Sequence, residues 1–230
     1  NDLAETKTVN TLFCMFDEYL EKEGLISHKG TIVDATFVDA PRQRNSRDEN
    51  KKIKNGEIPE EWEKPENKIK LAQKDIDADW TKKNGERHFG YKDHVKCDAD
   101  SKLITNYSVT SASVHDSQRC LVFIGQEDEV LYADSAYSGK PIALALPENC
   151  KNQICEKGYR NSPLTSEQKM NNRRKSRIRC RIEHIFGFMT GAMHGITIRS
   201  IGITRAWMNI GITNLVYNFC RYSYLKRASA

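Results

Sequence analysis

Apolar residues at Leu12, Phe13, Phe16 and Leu20 recur at helical spacing and predict an amphipathic helix over residues 3–23, ended by Gly24. The β-branched run Thr31–Val38 predicts a strand that Pro41 stops. From His88 the pattern returns to strands. His88–Cys97 and Leu103–Thr110 form a predicted hairpin across the turn-rich Asp98-Ala-Asp-Ser101. Then follow a helix over Asp116–Ile124, a short strand over Glu129–Ala133, a short helix over Pro141–Leu146 and a strand over Asn152–Glu156. Thr165 or Ser166 caps a predicted long helix reaching about Thr190, and a last helix spans about Thr204–Leu225. Five strands with helices between and after them predict an α/β architecture, a mixed five-stranded sheet flanked by helices.

Residues 42–87 interrupt this alternation. They are rich in Lys, Glu, Asp and Asn, poor in aliphatics and broken by Pro59 and Pro65. Such a stretch has little apolar surface to bury, so it is expected to be a charged, mobile insertion after the first strand, with one short helix.

Charge sharpens the picture. The net charge is +5, but residues 151–230 hold 15 Lys and Arg against three acids, a net +12, while residues 1–150 hold 21 against 28, a net −7. A carboxy-terminal third this basic points to a polyanionic partner, with nucleic acid the usual one. Seven cysteines at scattered spacings form no metal-ligand cluster and read as reduced thiols of a cytosolic protein. No stretch approaches the ~20 apolar residues that cross a bilayer. The chain opens at Asn1 and enters helical periodicity at once, from which a missing amino-terminal segment is expected.

Three acids stand out against their surroundings. Asp34 lies inside an apolar strand, and Asp134 ends the short apolar run Val130-Leu-Tyr-Ala. A carboxylate in such a place needs a partner or a metal. Glu183 borders the helical stripe Ile178, Ile182, Ile185, Phe186 and Met189, and it is the only acid after Glu167. An i,i+4 ion pair with Arg179 is the structural alternative for it. Three convergent carboxylates would repel one another, and hard oxygen ligands suit Mg²⁺ or Mn²⁺ rather than zinc. Two such ions ~4 Å apart could clamp a phosphodiester.

The segments Ile32–Thr36, Asp77–Lys83, His88–His94, Val114–Asp116, Tyr132–Tyr137 and Arg179–His184 together resemble bacterial insertion-sequence transposases of the DDE class. The resemblance runs from about residue 10 to 225 in the expected order. It implies an RNase H-like fold, with Asp34 and Asp134 on neighbouring central strands and Glu183 on a following helix. All three are then both the catalytic residues and the metal ligands. It also implies strand cleavage and 3′-hydroxyl strand transfer at element ends, on double-stranded DNA, by a cytoplasmic protein paired as a homodimer. Residues 1–30 are then the remnant of an amino-terminal region, and residues 31–230 the catalytic domain. A nuclease without strand transfer, and an inactive DNA-binding remnant, are the alternatives.

Relatives carry a Tyr, Arg, Glu, Lys signature around the third acid. Arg179 fits it, but Ser176 and Thr190 stand at the tyrosine and lysine positions. Contacts to the DNA backbone are therefore expected from Arg179 with Lys92, Arg173, Arg174, Lys175, Arg177 and Arg181. Trp80 could stack on an unpaired base or pin the insertion to the body. His115 and Asp116 read as a helix cap or as functional groups. A phosphate-loop ATPase is excluded by the absence of its glycine-rich motif, and a serine hydrolase by the lack of a G-x-S-x-G elbow at Ser135. Tyr222 and Tyr224 lack the His-x-x-Arg cluster of a tyrosine recombinase.

Overall fold

The computed structural model describes residues 7–83 and 85–228. Helix α1 (Thr8–Lys22) precedes strand β1 (Thr31–Asp39). Residues 3–6 of the predicted first helix lie outside the described residues. The hairpin is β3 (Glu86–Asp98) and β4 (Ile104–Ser111). After it come α5 (Ser117–Phe123), β5 (Val130–Tyr132), α6 (Lys140–Ala145) and β6 (Lys151–Asn152). The chain ends in α7 (Ser166–Arg179), α8 (Arg181–Gly191) and α9 (Ile203–Ala228).

The five expected strands lie in the spatial order β4-β3-β1-β5-β6. β3 runs antiparallel to β1 and β4, whereas β5 is parallel to both β1 and β6. This is the arrangement that the RNase H-like expectation requires. β6 is brief, but its ladder continues: Gln153 and Cys155 donate to the carbonyls of Leu131 and Ala133.

Alternation along the strands sorts side chains onto two faces. Ile32, Val38, Val95 and Tyr107 meet Phe13 of α1, Ile182, Ile185 and Met189 of α8, and Ile210 and Leu215 of α9. On the opposite face Val33, Leu131 and Ala133 meet Cys120, Phe123, Tyr137 and Ile142. Asn218 stands in for a strand on the first face, donating to the Ile104 carbonyl and accepting from the Ile104 amide.

Residues 42–87 depart from expectation. They carry α2 (Arg47–Lys54), α3 (Glu60–Glu63), α4 (Lys68–Ala72) and a sixth strand, β2 (Asp79–Lys83), instead of one short helix. Their order comes from one aromatic. Trp62 is fully buried, its indole donates to Glu49, and the ammonium groups of Lys70 and Lys74 lie over its ring. A capping box between Ser46 and Glu49 starts α2. Buried Asp75 accepts from the Tyr91 hydroxyl, and Asp77 accepts from the Ile203 amide at the start of α9, so aspartates fasten this segment to the body. β2 pairs with the first residues of β3, and Gly90 of β3 stands between Asp79 of β2 and Asp39 of β1. With φ 146°, a Cβ on Gly90 would lie 2.3 Å from the Val38 carbonyl oxygen, so only glycine fits this junction.

The long helix predicted to reach Thr190 is also two helices. Thr165 caps α7 through a capping box with Gln168, as its sequence predicts. At Cys180 the chain tightens, the Glu183 amide donating to the Cys180 carbonyl, and α8 starts as a separate helix. α7 buries no residue completely, whereas α8 buries Ile182, Ile185 and Met189. Among the described residues no helix is long and apolar enough to cross a membrane.

Candidate active site

β1 and β5 pair in parallel with Thr31 beside Leu131 and Ile32 beside Tyr132. That register offset equals the sequence separation of Asp34 and Asp134. Each aspartate lies two residues beyond the last pair, so both project from the face that Ile32 and Tyr132 share, where α8 packs. Each also has one oxygen fixed by backbone. Asp34 Oδ1 accepts from the Ala35 amide at 2.8 Å, and Asp134 Oδ1 from the Ala136 amide at 2.6 Å, capping a short 3₁₀ turn. The other oxygen of Asp34 faces the Arg179 guanidinium, and that of Asp134 accepts no hydrogen bond among the described residues.

Glu183 sits in the first turn of α8, where a carboxylate is favoured by the helix dipole. Arg179, the last residue of α7, joins it to β1. Its two terminal nitrogens lie 2.9 Å from Asp34 Oδ2 and 2.7 Å from Glu183 Oε1. The i,i+4 pair therefore forms, but as half of a bridge. Burial pushes the Asp34 carboxyl up to about 6; the Ala35 amide and Arg179 pull against the shift, and Asp134 adds to it.

The donor set, all carboxylate oxygen with a cation already held between two members, fits a hard divalent ion. The three carboxylates do not yet converge. Among the described residues the one group of three metal-ligating side chains within 4.8 Å of one another is His28, Glu127 and Asp128. There the Lys96 ammonium already lies 3.3 Å from Glu127 and 2.9 Å from Asp128.

The residues expected on the DNA backbone divide into two groups. Arg173, Arg174 and Arg177 are exposed along α7 and make no ion pair among the described residues. Lys92, Lys175 and Arg181 are engaged by the protein. Lys92 is only 7% exposed, and its ammonium sits 2.7 Å from both Asp116 and the Val114 carbonyl. Lys175 donates to the Ile154 carbonyl, and Arg181 to the Ala99 carbonyl and Asp100. Asp116 thus serves Lys92 instead of capping α5, and the cap falls to His115, which accepts from the Ser117 amide.

Trp80 packs on Phe89 with the Arg42 guanidinium near its ring, and its other side opens into a groove. Sequence reasoning missed Lys83, whose charge acts on Asp34 and whose ammonium lies 5.5 Å from the Phe37 ring centre. Its proximity depends on the path of the β2–β3 hairpin, which no local pattern reveals.

Residues 26–219 match the family described as the transposase DDE domain. The transposase for insertion sequence element IS1106 of Neisseria meningitidis serogroup B is 30% identical over 196 residues. The match covers 81% of this chain and 63% of that relative, so the chain spans less than two thirds of the relative's length. No solved structure matches the chain.

Proposed function

The chain belongs to the transposase DDE domain family, and we propose that Asp34, Asp134 and Glu183 are its catalytic carboxylates, in a transposase that cuts DNA at the ends of an insertion element and joins the freed 3′-hydroxyl to target DNA. The observation that carries this reading is the β1–β5 register, which sets Asp34 beside Asp134 on the face where α8 presents Glu183. Backbone amides orient the two aspartates, and Arg179 holds Glu183 toward them until a cation takes its place. Two Mg²⁺ or Mn²⁺ ions held by these carboxylates would activate water or a 3′-hydroxyl for attack on phosphorus and stabilise the departing oxygen. Arg179, once released, is placed to meet the phosphate. Arg173, Arg174 and Arg177 offer the unpaired charge that would hold flanking duplex.

The same reading has two copies acting together on DNA in the bacterial cytoplasm. Exposed Leu12 and Met15 on α1 and Ile212, Val216 and Phe219 on α9 supply an apolar face for a second copy.

The test is a strand-transfer assay with pre-cleaved element ends, comparing the natural chain with Asp134→Asn. Joined product from the natural chain, lost by at least about 10³-fold in the variant, is expected if the carboxylates carry the reaction. Cutting without joining would mark a nuclease. DNA activity equal in both proteins would leave a DNA-binding remnant.

A further inference from the structure

The insertion sorts its charges. On the side of α2 that faces Trp62, acids and bases neutralise one another: Glu49 lies 3.8 Å from Lys70, and Lys52 lies 3.5 Å from Glu60. On the other side Arg47, Lys51 and Lys54 recur at i, i+4 and i+7 along one stripe. That stripe forms one wall of an open groove of about 590 Å³, and Lys82 and Arg87 of the β2–β3 hairpin stand in the other.

None of these five cations makes an ion pair among the described residues. Lys82 and Arg87 are direct cross-strand partners, an arrangement of like charges that destabilises a sheet when nothing lies between them. The one acid of the lining, Asp79, turns an oxygen to its own strand, accepting from the Trp80 amide. Concentrated positive charge, unneutralised within the chain and flanked by Asn45 and Asn50, has the chemistry of a polyphosphate seat.

The hairpin also ties this groove to the carboxylates. Side chains alternate along β2, so Lys82 enters the groove while its neighbour Lys83 points toward Phe37 and acts on Asp34. The stripe on α2 is ~10 Å long, the axial rise of about three nucleotides of one strand.

We propose that this groove is a second DNA seat, which grips backbone phosphates of the duplex flanking the reacting phosphodiester. The inference rests on the transposase reading for its duplex, but it concerns a different surface. The insertion then works as a clamp. Its cations add sequence-independent affinity, and its hairpin carries the strand from the groove to the carboxylates.

The test uses the full chain, without divalent metal, and a duplex of about 30 base pairs of arbitrary sequence, because phosphate contacts are blind to sequence. Affinity is measured across a salt series for the natural protein, for the triple variant Lys51→Ala, Lys54→Ala, Lys82→Ala, and for Lys51→Glu alone. Each phosphate contact contributes about 0.9 to the slope of log affinity against log salt, so the triple variant is expected to lose about 2–3 from that slope. Lys51→Glu should weaken binding at low salt by about tenfold or more, since it adds repulsion to a lost contact. An unchanged slope in a triple variant with natural circular dichroism overturns the proposal. So does stronger binding of duplex RNA than of duplex DNA, which would assign the groove to another partner. Mn²⁺ affinity at the carboxylates should be the same in all three proteins. A lost salt slope alongside Asp134→Asn that still cuts would spare the groove and sink the transposase reading instead.

Discussion

Arg179 lies 2.9 Å from Asp34 while its second nitrogen holds Glu183 at 2.7 Å, so one guanidinium occupies the space in which two carboxylates would share a cation. The arrangement neutralises the acids in the free protein, and on the proposed reading it opens when DNA or metal binds. Arg179→Ala removes the competing charge. Mn²⁺ affinity of the DNA-free protein is expected to rise about tenfold, equivalent to ~1.4 kcal/mol, while strand cleavage falls because a phosphate contact is gone. Calorimetric titration with Mn²⁺ decides the point. A weaker affinity in the variant would mean that Arg179 organises the ligands rather than competing for them.

Asp34 brings a pH dependence. Its carboxyl is pushed up to about 6 from the ordinary 3.8, chiefly by burial. The folded protein therefore holds this proton more tightly than the unfolded chain, and ionisation costs stability as pH rises from 3.8 through 6. A bound cation reverses the preference, because it needs the ionised form. Saturating Mn²⁺ at ~100 times its dissociation constant would stabilise the protein by about 2.7 kcal/mol, a rise of roughly 5–10 °C in melting temperature. That rise is expected at pH 7.5 and should largely vanish at pH 4.5. A shift of equal size at both values would show that the cation binds elsewhere.

Lys92 separates structural from DNA-binding charge. Its pair with Asp116 is nearly closed to solvent, the two side chains being 9% and 13% exposed. Lys92→Met would strand the carboxylate and is expected to cost about 3–5 kcal/mol. The double variant with Asp116→Asn should recover most of the loss. The salt dependence of DNA binding should not change in any folded variant. A lowered salt slope would return Lys92 to the DNA interface.

These residues show what the chain discloses locally and what it withholds. The placement of Asp34 and Asp134 on neighbouring strands was legible because a carboxylate in an apolar strand contradicts its neighbours, and the residue pattern located five of the sheet's six strands, all but β2. The break at Cys180 was not legible, since helical propensity and the apolar stripe run through it unbroken. The roles of the basic residues were hidden too. Lys92, Lys175 and Arg181 differ from Arg173, Arg174 and Arg177 only in which carbonyl or carboxylate the tertiary fold brings to them. Composition misjudged the insertion, because a single buried indole with its cations substitutes for an aliphatic core.

Asp93 tests the interior behind the site. It is fully buried on β3, where Asn214 donates to one of its oxygens. Its second oxygen and the Asn214 side-chain oxygen both lack hydrogen-bond partners among the described residues. Burial pushes the carboxyl up to about 8 from 3.8, so at neutral pH it keeps its proton and has a donor to offer. Stability from this group is full below pH 3.8 and declines as pH rises toward 8, by ~1.4 kcal/mol per pH unit. Asp93→Asn keeps the shape and supplies a permanent donor. Its melting temperature should exceed the natural protein's at pH 8 and match it near pH 4. Thermal melts at the two pH values suffice. A variant less stable at pH 8 would mean that the carboxylate is ionised and compensated.

Trp62 decides whether the insertion folds as a unit. The ring is buried entirely, yet it belongs to none of the apolar clusters of the body. Truncating a buried tryptophan to alanine costs about 3–5 kcal/mol, more than a few short helices with no aliphatic core can absorb. In Trp62→Ala, amide hydrogen exchange is expected to accelerate over residues 46–72, while β1 and β3 keep their protection. The Asp75–Tyr91 and Asp77–Ile203 bonds lie beyond the insertion's helices and should hold β2 in register. The carboxylates would then be undisturbed, so Mn²⁺ binding should survive. The salt dependence of DNA binding should fall toward that of the Lys51, Lys54, Lys82 variant, because α2 carries one wall of the groove. Loss of protection spreading into β3 would instead make the insertion part of the central core, and the clamp would have no independent hinge on which to act.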